Sequence, residues 1–158
     1  RCSVVEVMGR RAGWIALNVA IASGAIACVT PEIPYDINAI ADKIIKAHES
    51  QKEHFIVVVA EGVEASEEIT KKINELTGIE TRLTVLGHVQ RGGMPTLRDR
   101  VAASQMGYHA VELIDRGVTN RVVGMKDNKI IDVDIQEALS MKKPFDTELY
   151  RVCNEITF

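Results

Sequence analysis

Phe55-Ile56-Val57-Val58-Val59-Ala60 is an unbroken run of six apolar residues, most of them β-branched. A strand with one wet face alternates apolar and polar side chains. A strand that does not alternate must be covered on both faces, which is the condition of a central strand in a parallel sheet. The flanking sequence supports this reading. Upstream, Ser3-Val4-Val5-Glu6-Val7 reads as a strand ending at Met8-Gly9, and Gly13 opens a helix carrying Trp14, Leu17 and Ile21, closed by Gly24. Ala27 to Thr30 reads as a second strand stopped by Pro31 and Pro34. Asp36 is a suitable N-cap for a helix that lines up Ile37, Ile40, Ala41, Ile44, Ile45 and His48. Downstream, Ser66 reads as the cap of a helix with Ile69, Ile73 and Leu76 on one stripe and Gly78 at its end, followed by a strand from Glu80 to Leu86. Strand and helix alternate throughout, so the fold class is α/β with a mainly parallel sheet flanked by helices.

The last third departs from this rhythm. Thr96-Leu97-Arg98-Asp99 has the form of a capping box and starts a long helix through Val101, Met106, Val111, Leu113 and Ile114 to Gly117. Arg121–Lys126 and Lys129–Val133 flank Asp127-Asn128, a hairpin signal that implies a second sheet. Two short helices are expected near Ile135 to Met141 and after Asp146.

The 158 residues match the size of one ordinary domain, and 46% hydrophobic, 26% charged and 4% aromatic residues describe an aliphatic core rather than a disordered chain. The net charge of −3 argues against a broadly cationic nucleic-acid binder. No run reaches the ~18 apolar residues of a membrane span, and the first residues read as a strand, not a leader. Cys2, Cys28 and Cys153 are odd in number, widely spaced and without histidines at ligand spacing. They are expected to be buried fillers in a reducing, cytoplasmic setting, with no metal site.

Three loops after strands are chemically unusual. Met8-Gly9-Arg10-Arg11-Ala12-Gly13 leads into a helix whose free amides and neighbouring arginines suit an anion, although a plain turn with solvated arginines fits equally. Ala60-Glu61-Gly62 places a carboxylate where ligand hydroxyls could donate to it, or where it simply caps the next helix. Gly87-His88-Val89-Gln90-Arg91-Gly92-Gly93 gathers an imidazole and a guanidinium among three glycines, and this density favours a phosphate site. Arg82, inside an apolar strand, must emerge at an edge, reach a cleft or pair with a carboxylate, the last being the usual case. Arg1 is equally open, down to a frayed terminus. No nucleotide P-loop, dinucleotide fingerprint or nucleophile elbow occurs.

Val4-Val5-Glu6-Val7-Met8-Gly9-Arg10, Val59-Ala60-Glu61-Gly62 and Leu86-Gly87-His88-Val89-Gln90-Arg91-Gly92-Gly93, in this order, resemble the ATP-dependent 6-phosphofructokinase family. The resemblance runs from Arg1 to about Tyr150 and matches the carboxyl-terminal half of a bacterial-type subunit. It implies the substrate lobe of that fold, a Rossmann-like three-layer arrangement, with residues 1–90 plus 145–158 as a sugar-phosphate-binding lobe. Residues 91–144 are then expected to pack on an ATP-binding lobe. The implied reaction moves the γ-phosphoryl group of ATP to the 1-hydroxyl of fructose 6-phosphate. By resemblance, Met8, Gly9 and Arg10 line the sugar, with Arg10 also beside the transferring phosphoryl group as the one catalytic residue here. Glu61 accepts from fructose hydroxyls, and His88 and Arg91 hold the 6-phosphate. Arg1 and Arg82 reach the sugar phosphate of a neighbouring subunit.

The family's Gly-Gly-Asp loop, magnesium carboxylate and Thr-Ile-Asp-Asn-Asp stretch do not occur in these residues. The resemblance therefore assigns ATP and Mg2+ to an amino-terminal half, expects this chain alone to be inactive, and makes the intact protein an allosteric homotetramer. The helix from Thr96 would lose part of its cover, leaving Leu97, Val101 or Ile114 to water or to a second copy of the chain. Ile26 and Ser50 stand where family members carry an acidic and a basic residue for an ADP effector, whereas Lys52 keeps its charge. ADP activation is thus in doubt, while ATP rather than pyrophosphate is the expected donor. The rival readings are a non-catalytic sugar-phosphate-binding module and an oligomerisation or regulatory subunit.

Overall fold

The computed structural model describes residues 1–156. Its contacts fall into two units, Arg1–Gly92 together with the segment from Phe145 onward, and Gly93–Pro144. The larger unit is built on four parallel strands: β1 (Cys2–Val7), β2 (Ala27–Val29), β3 (Phe55–Ala60) and β4 (Thr81–Val85), in the spatial order β2-β3-β1-β4. Four helices cover it: α1 (Trp14–Ser23), α2 (Ile37–Glu49), α3 (Ser66–Thr77) and α6 (Thr147–Glu155).

The apolar run of β3 is sandwiched as its composition requires. Val57 and Val59 point into one core with Val4, Ile40, Ile44, Ile69 and Ile73, so this face is covered by α2 and α3. Val58 and Ala60 point into the other with Val7, Ala16, Leu17, Ala20, Cys28 and Cys153, covered by α1 and α6. Successive side chains go to opposite faces because the strand repeats every two residues. This is the three-layer α/β arrangement. α6 returns to it through the tilted rings of Trp14, Phe145 and Tyr150, whose centroids are 6.1 and 5.8 Å apart, and through Tyr150, whose hydroxyl donates to the Cys28 carbonyl at 3.3 Å.

Local grammar sets most element ends. Asp36 caps α2 by accepting from the Asn38 amide at 2.9 Å, and Gly24 and Gly78 close α1 and α3 in the left-handed conformation. Three readings need correction. Ser66 does not cap α3; the cap position is Ala65, and the Ser66 hydroxyl, almost fully buried, donates instead to the Glu6 carboxylate of β1. Leu76 is exposed rather than on the core stripe. His48 is exposed too, its ring edge resting on Phe55 at a centroid distance of 6.4 Å.

In the smaller unit, α4 (Leu97–Asp115) starts at a reciprocal capping box, Thr96 accepting from the Asp99 amide and the Asp99 carboxylate from the Thr96 amide. The hairpin β5 (Arg121–Lys126) and β6 (Lys129–Asp134) turns through Asp127 and Asn128, both left-handed at φ 52° and 59°, as a tight hairpin turn demands. α5 (Ile135–Ser140) follows, capped by Asp134. Asp132 joins hairpin to helix, within 3.0 Å of His109 and 2.6 Å of Arg121, and these two partners, His109 first, hold its carboxyl below the usual range. Leu113 is the one buried side chain among the described residues of this unit, while Leu97, Val101 and Ile114 are all exposed.

All three cysteines are buried and free. Burial pushes the Cys2 thiol up to about 11 and, with Cys153 nearby, the Cys28 thiol up to about 12. Because the thiolate is the reactive form, we expect no labelling of the folded chain by a disulfide-exchange reagent at pH 8, and three equivalents once it is unfolded in urea.

Candidate functional site

In an open parallel sheet, a crevice forms between adjacent strands whose following helices leave to opposite faces. Here those strands are β1 and β3. α1 leaves β1 toward one face and α3 leaves β3 toward the other, and the register ends with Val7 beside Ala60. Met8-Gly9-Arg10 and Glu61-Gly62 are therefore the first residues beyond the same sheet edge. β4 lies on the other side of β1, with Val85 beside Glu6, and continues into a 3-10 turn over Gly87–Arg91. Three loops that are far apart in sequence thus meet at the carboxyl ends of three neighbouring strands.

Backbone contacts lock them together. The Gly62 amide donates to the Gly9 carbonyl at 3.3 Å, and the Leu86 amide donates to the Glu6 carbonyl at 3.2 Å. Gly62 lies so close to the first loop that an added Cβ would stand 2.2 Å from the Arg10 carbonyl oxygen. Gly9, at φ 151°, would place a Cβ 2.5 Å from the Ala12 carbonyl oxygen. Both glycines are there because backbone packs on backbone.

The side chains on this scaffold are poised for a polar ligand. Within the 3-10 turn, His88 and Arg91 are three residues apart, and residues at that spacing eclipse one another along such a turn. Both are exposed, as is Arg10, and among the described residues none of the three side chains has a hydrogen bond or ion pair. The Glu61 carboxylate is also unpaired and half-exposed. It borders a hollow of about 560 Å³ shared with Glu6, Glu64, Ser66, Glu67 and Val85. Carboxylates in such number accept from hydroxyls and repel anions, so of the side chains at this edge Arg10, His88 and Arg91 are the ones whose chemistry suits an anion.

Arg1 and Arg82 are not brought to this edge. They sit at the amino ends of β1 and β4, Arg82 level with Ser3, about 13 Å along the strand from the carboxyl end. Both pair with Glu80: Arg1 at 3.3 Å, and Arg82 through Nε at 2.8 Å and a terminal nitrogen at 2.5 Å. Arg82 first, then Arg1, holds the Glu80 carboxyl below its ordinary range. Lys52 lies near that end as well, its amide donating to Ala47, while Ile26 is buried in the α2–α3 core and Ser50 closes α2.

Two residues were missed by sequence reasoning. Glu32 accepts from the Gly13 amide at 2.8 and 3.1 Å, so the anion at the start of α1 is the chain's own carboxylate. Gln90 stood inside the quoted motif without a role, yet its carboxamide reaches the Met8 amide. Neither pairing has a local signal, since the partners are 19 and 82 residues apart. Among the described residues, no group of three or more carboxylates, imidazoles or thiols is placed to hold a metal ion, and no helix is long and apolar enough to cross a membrane.

A family model described as phosphofructokinase matches residues 1–114, which include all three loops. The chain belongs to the phosphofructokinase family. It is 50% identical over 156 residues to ATP-dependent 6-phosphofructokinase 1 of Clostridium perfringens, covering 99% of this chain and 49% of that protein. Phosphofructokinase from Saccharomyces cerevisiae superposes with a TM-score of 0.82 at 29% identity, over 99% of this chain and 23% of that one. The Pichia pastoris phosphofructokinase crystallised in the T-state gives 0.79 at 32% identity, over 99% and 17%. The chain spans about half the length of the curated relatives it matches.

The contact at Gly62 yields a direct test. Gly62→Ala should lower stability by about 1–3 kcal/mol, as overpacking does, because the backbone at Arg10 must move. Gly93→Ala, with nothing within 4 Å, should stay within about 0.5 kcal/mol. Urea midpoints of the two variants against the parent chain decide it.

Proposed function

We propose that this chain is the sugar-phosphate-binding half of an ATP-dependent 6-phosphofructokinase, which passes the γ-phosphoryl group of ATP to fructose 6-phosphate. The reading rests on one observation above all. The His88–Arg91 turn, the Gly9 loop and Glu61 share one sheet edge, and among the described residues the side chains of Arg10, Glu61, His88 and Arg91 have no hydrogen-bond or ion-pair partner. His88 and Arg91 hold the 6-phosphate, the guanidinium by paired N–H donors and the imidazole by one. Glu61 accepts from ring hydroxyls and so orients the sugar without repelling its phosphate, provided the phosphate lies on the cationic side. Met8 and Gly9 line the sugar, and Gly9 permits the close approach. Arg10 extends past the same edge and stabilises charge on the phosphoryl group in transit.

Phosphoryl transfer also needs a metal, a nucleotide cradle and a group to take the hydroxyl proton. The carboxylates here form no metal-holding group among the described residues. ATP, Mg2+ and the base are assigned to an amino-terminal half, in keeping with curated relatives twice this length. Residues 91–144 would pack against that half. Arg1 and Arg82, at the opposite edge, fit a role toward the sugar phosphate of a neighbouring subunit in a homotetramer, where a phosphate would compete for them with Glu80. The burial of Ile26 supports a changed effector response at Lys52 and Ser50. Nothing in the comparisons favours a non-catalytic binding module.

Two outcomes follow. In the full-length enzyme, Arg91→Ala should weaken fructose 6-phosphate binding by about 1.5–3 kcal/mol, the range for a charged hydrogen bond, seen as a raised KM for the sugar phosphate; an unchanged KM removes Arg91 from the site. The chain by itself should give no ATP-dependent turnover of fructose 6-phosphate in a coupled assay, and measurable turnover would place catalytic machinery within these residues.

A further inference from the structure

The last four residues of the 3-10 turn divide the work unequally. His88 and Arg91 share one side by their spacing, and Val89 is 70% exposed. Gln90 alone turns back toward the protein. Its carboxamide is half-buried and both of its ends are engaged: Oε1 accepts from the Met8 amide at 3.2 Å, and Nε2 donates to the Gly87 carbonyl at 3.1 Å. One side chain thus ties the first loop to the turn and braces the turn against itself. No other side-chain hydrogen bond among the described residues joins the β1 loop to this turn; the remaining tie is backbone, from Leu86 to Glu6. That backbone bond anchors the start of the turn. Beyond that bond the chain passes through Gly87, which sits at φ 54° and where an added Cβ would have nothing within 4 Å, so no packing at this position opposes a rotation of the turn.

We propose that Gln90 is a positioning residue for the sugar phosphate. Its carboxamide fixes the separation between the groups that grip the phosphate, His88 and Arg91, and the Met8–Arg10 loop that faces the sugar. The hexose phosphate is a rigid ruler between these two grips, so an error in their spacing is felt as lost affinity even with every contacting side chain present. This rests on the fructose 6-phosphate reading given above.

The test uses the full-length enzyme with Gln90→Met, which keeps length and bulk and removes both hydrogen bonds. The KM for fructose 6-phosphate should rise about 10-fold, the order expected when two polar groups lose one partner. The KM for ATP and kcat should each change less than about 3-fold. A double-mutant cycle with Arg91→Ala supplies the readout that general destabilisation would not move. If Gln90 acts by placing Arg91, its substitution should cost less than about 3-fold once Arg91 is already alanine. Should Gln90→Met fail to fold, Gln90→Glu, which keeps the acceptor for Met8 and loses the donor to Gly87, carries the same cycle. A normal loss on Arg91→Ala with an unchanged KM for the Gln90 variant, or with effects that multiply independently, overturns the positioning role alone. No loss on Arg91→Ala removes Arg91 from the site, and with it the reading of the turn as the phosphate grip on which this inference rests.

Discussion

β1 pairs in parallel with β3 on one side and β4 on the other, and everything at the candidate site depends on that placement. Val7 stands beside Ala60 and Glu6 beside Val85, so three chain segments leave the sheet within one layer of one another. The pairing is enforced by burial. Val4 and Val57 serve one core and Val7 and Val58 the other, and a slip of one residue would exchange the two sets. A register held by packing on both faces is rigid, and loops anchored on it inherit that rigidity. The close approach of Gly62 to the Arg10 backbone is the visible result.

Charge is distributed along the strands with the same economy. At the carboxyl edge, Arg10, His88 and Arg91, whose side chains have no hydrogen-bond or ion-pair partner among the described residues, share the sheet edge with a hollow lined with carboxylates, a combination suited to a ligand that is anionic at one end and hydroxylated at the other. At the amino edge, Arg1 and Arg82 converge on Glu80. These pairs are exposed, so they hold the guanidiniums in place without contributing much stability. An arginine held this loosely remains available to a stronger anion. The helix start at Gly13, by contrast, is already satisfied by Glu32 and plays no such part.

The smaller unit follows a different logic. Its structure is local: a capping box, a hairpin with left-handed Asp127 and Asn128, and an aspartate that joins hairpin to helix. With Leu113 as its buried anchor and Leu97, Val101 and Ile114 exposed, it has little core of its own. Elements with strong local signals form even where burial is sparse, which is why their boundaries were readable without any knowledge of packing.

The amino-acid sequence alone determined the class of fold, the succession of its elements, the caps at Asp36 and Thr96, the buried cysteines and the unusual loops at Gly9, Glu61 and His88. All of these follow from periodicities, caps and turn residues that act over a few positions. Only the tertiary structure decided which loops meet, that Ser66 serves Glu6 rather than its own helix, that Glu32 closes the start of α1, that Gln90 clips two loops together, and that Arg1 and Arg82 belong to the far edge. Those choices depend on strand order and register between segments tens of residues apart. No local pattern encodes them, because a hydrogen-bonding side chain carries its donor and acceptor but not the address of its partner.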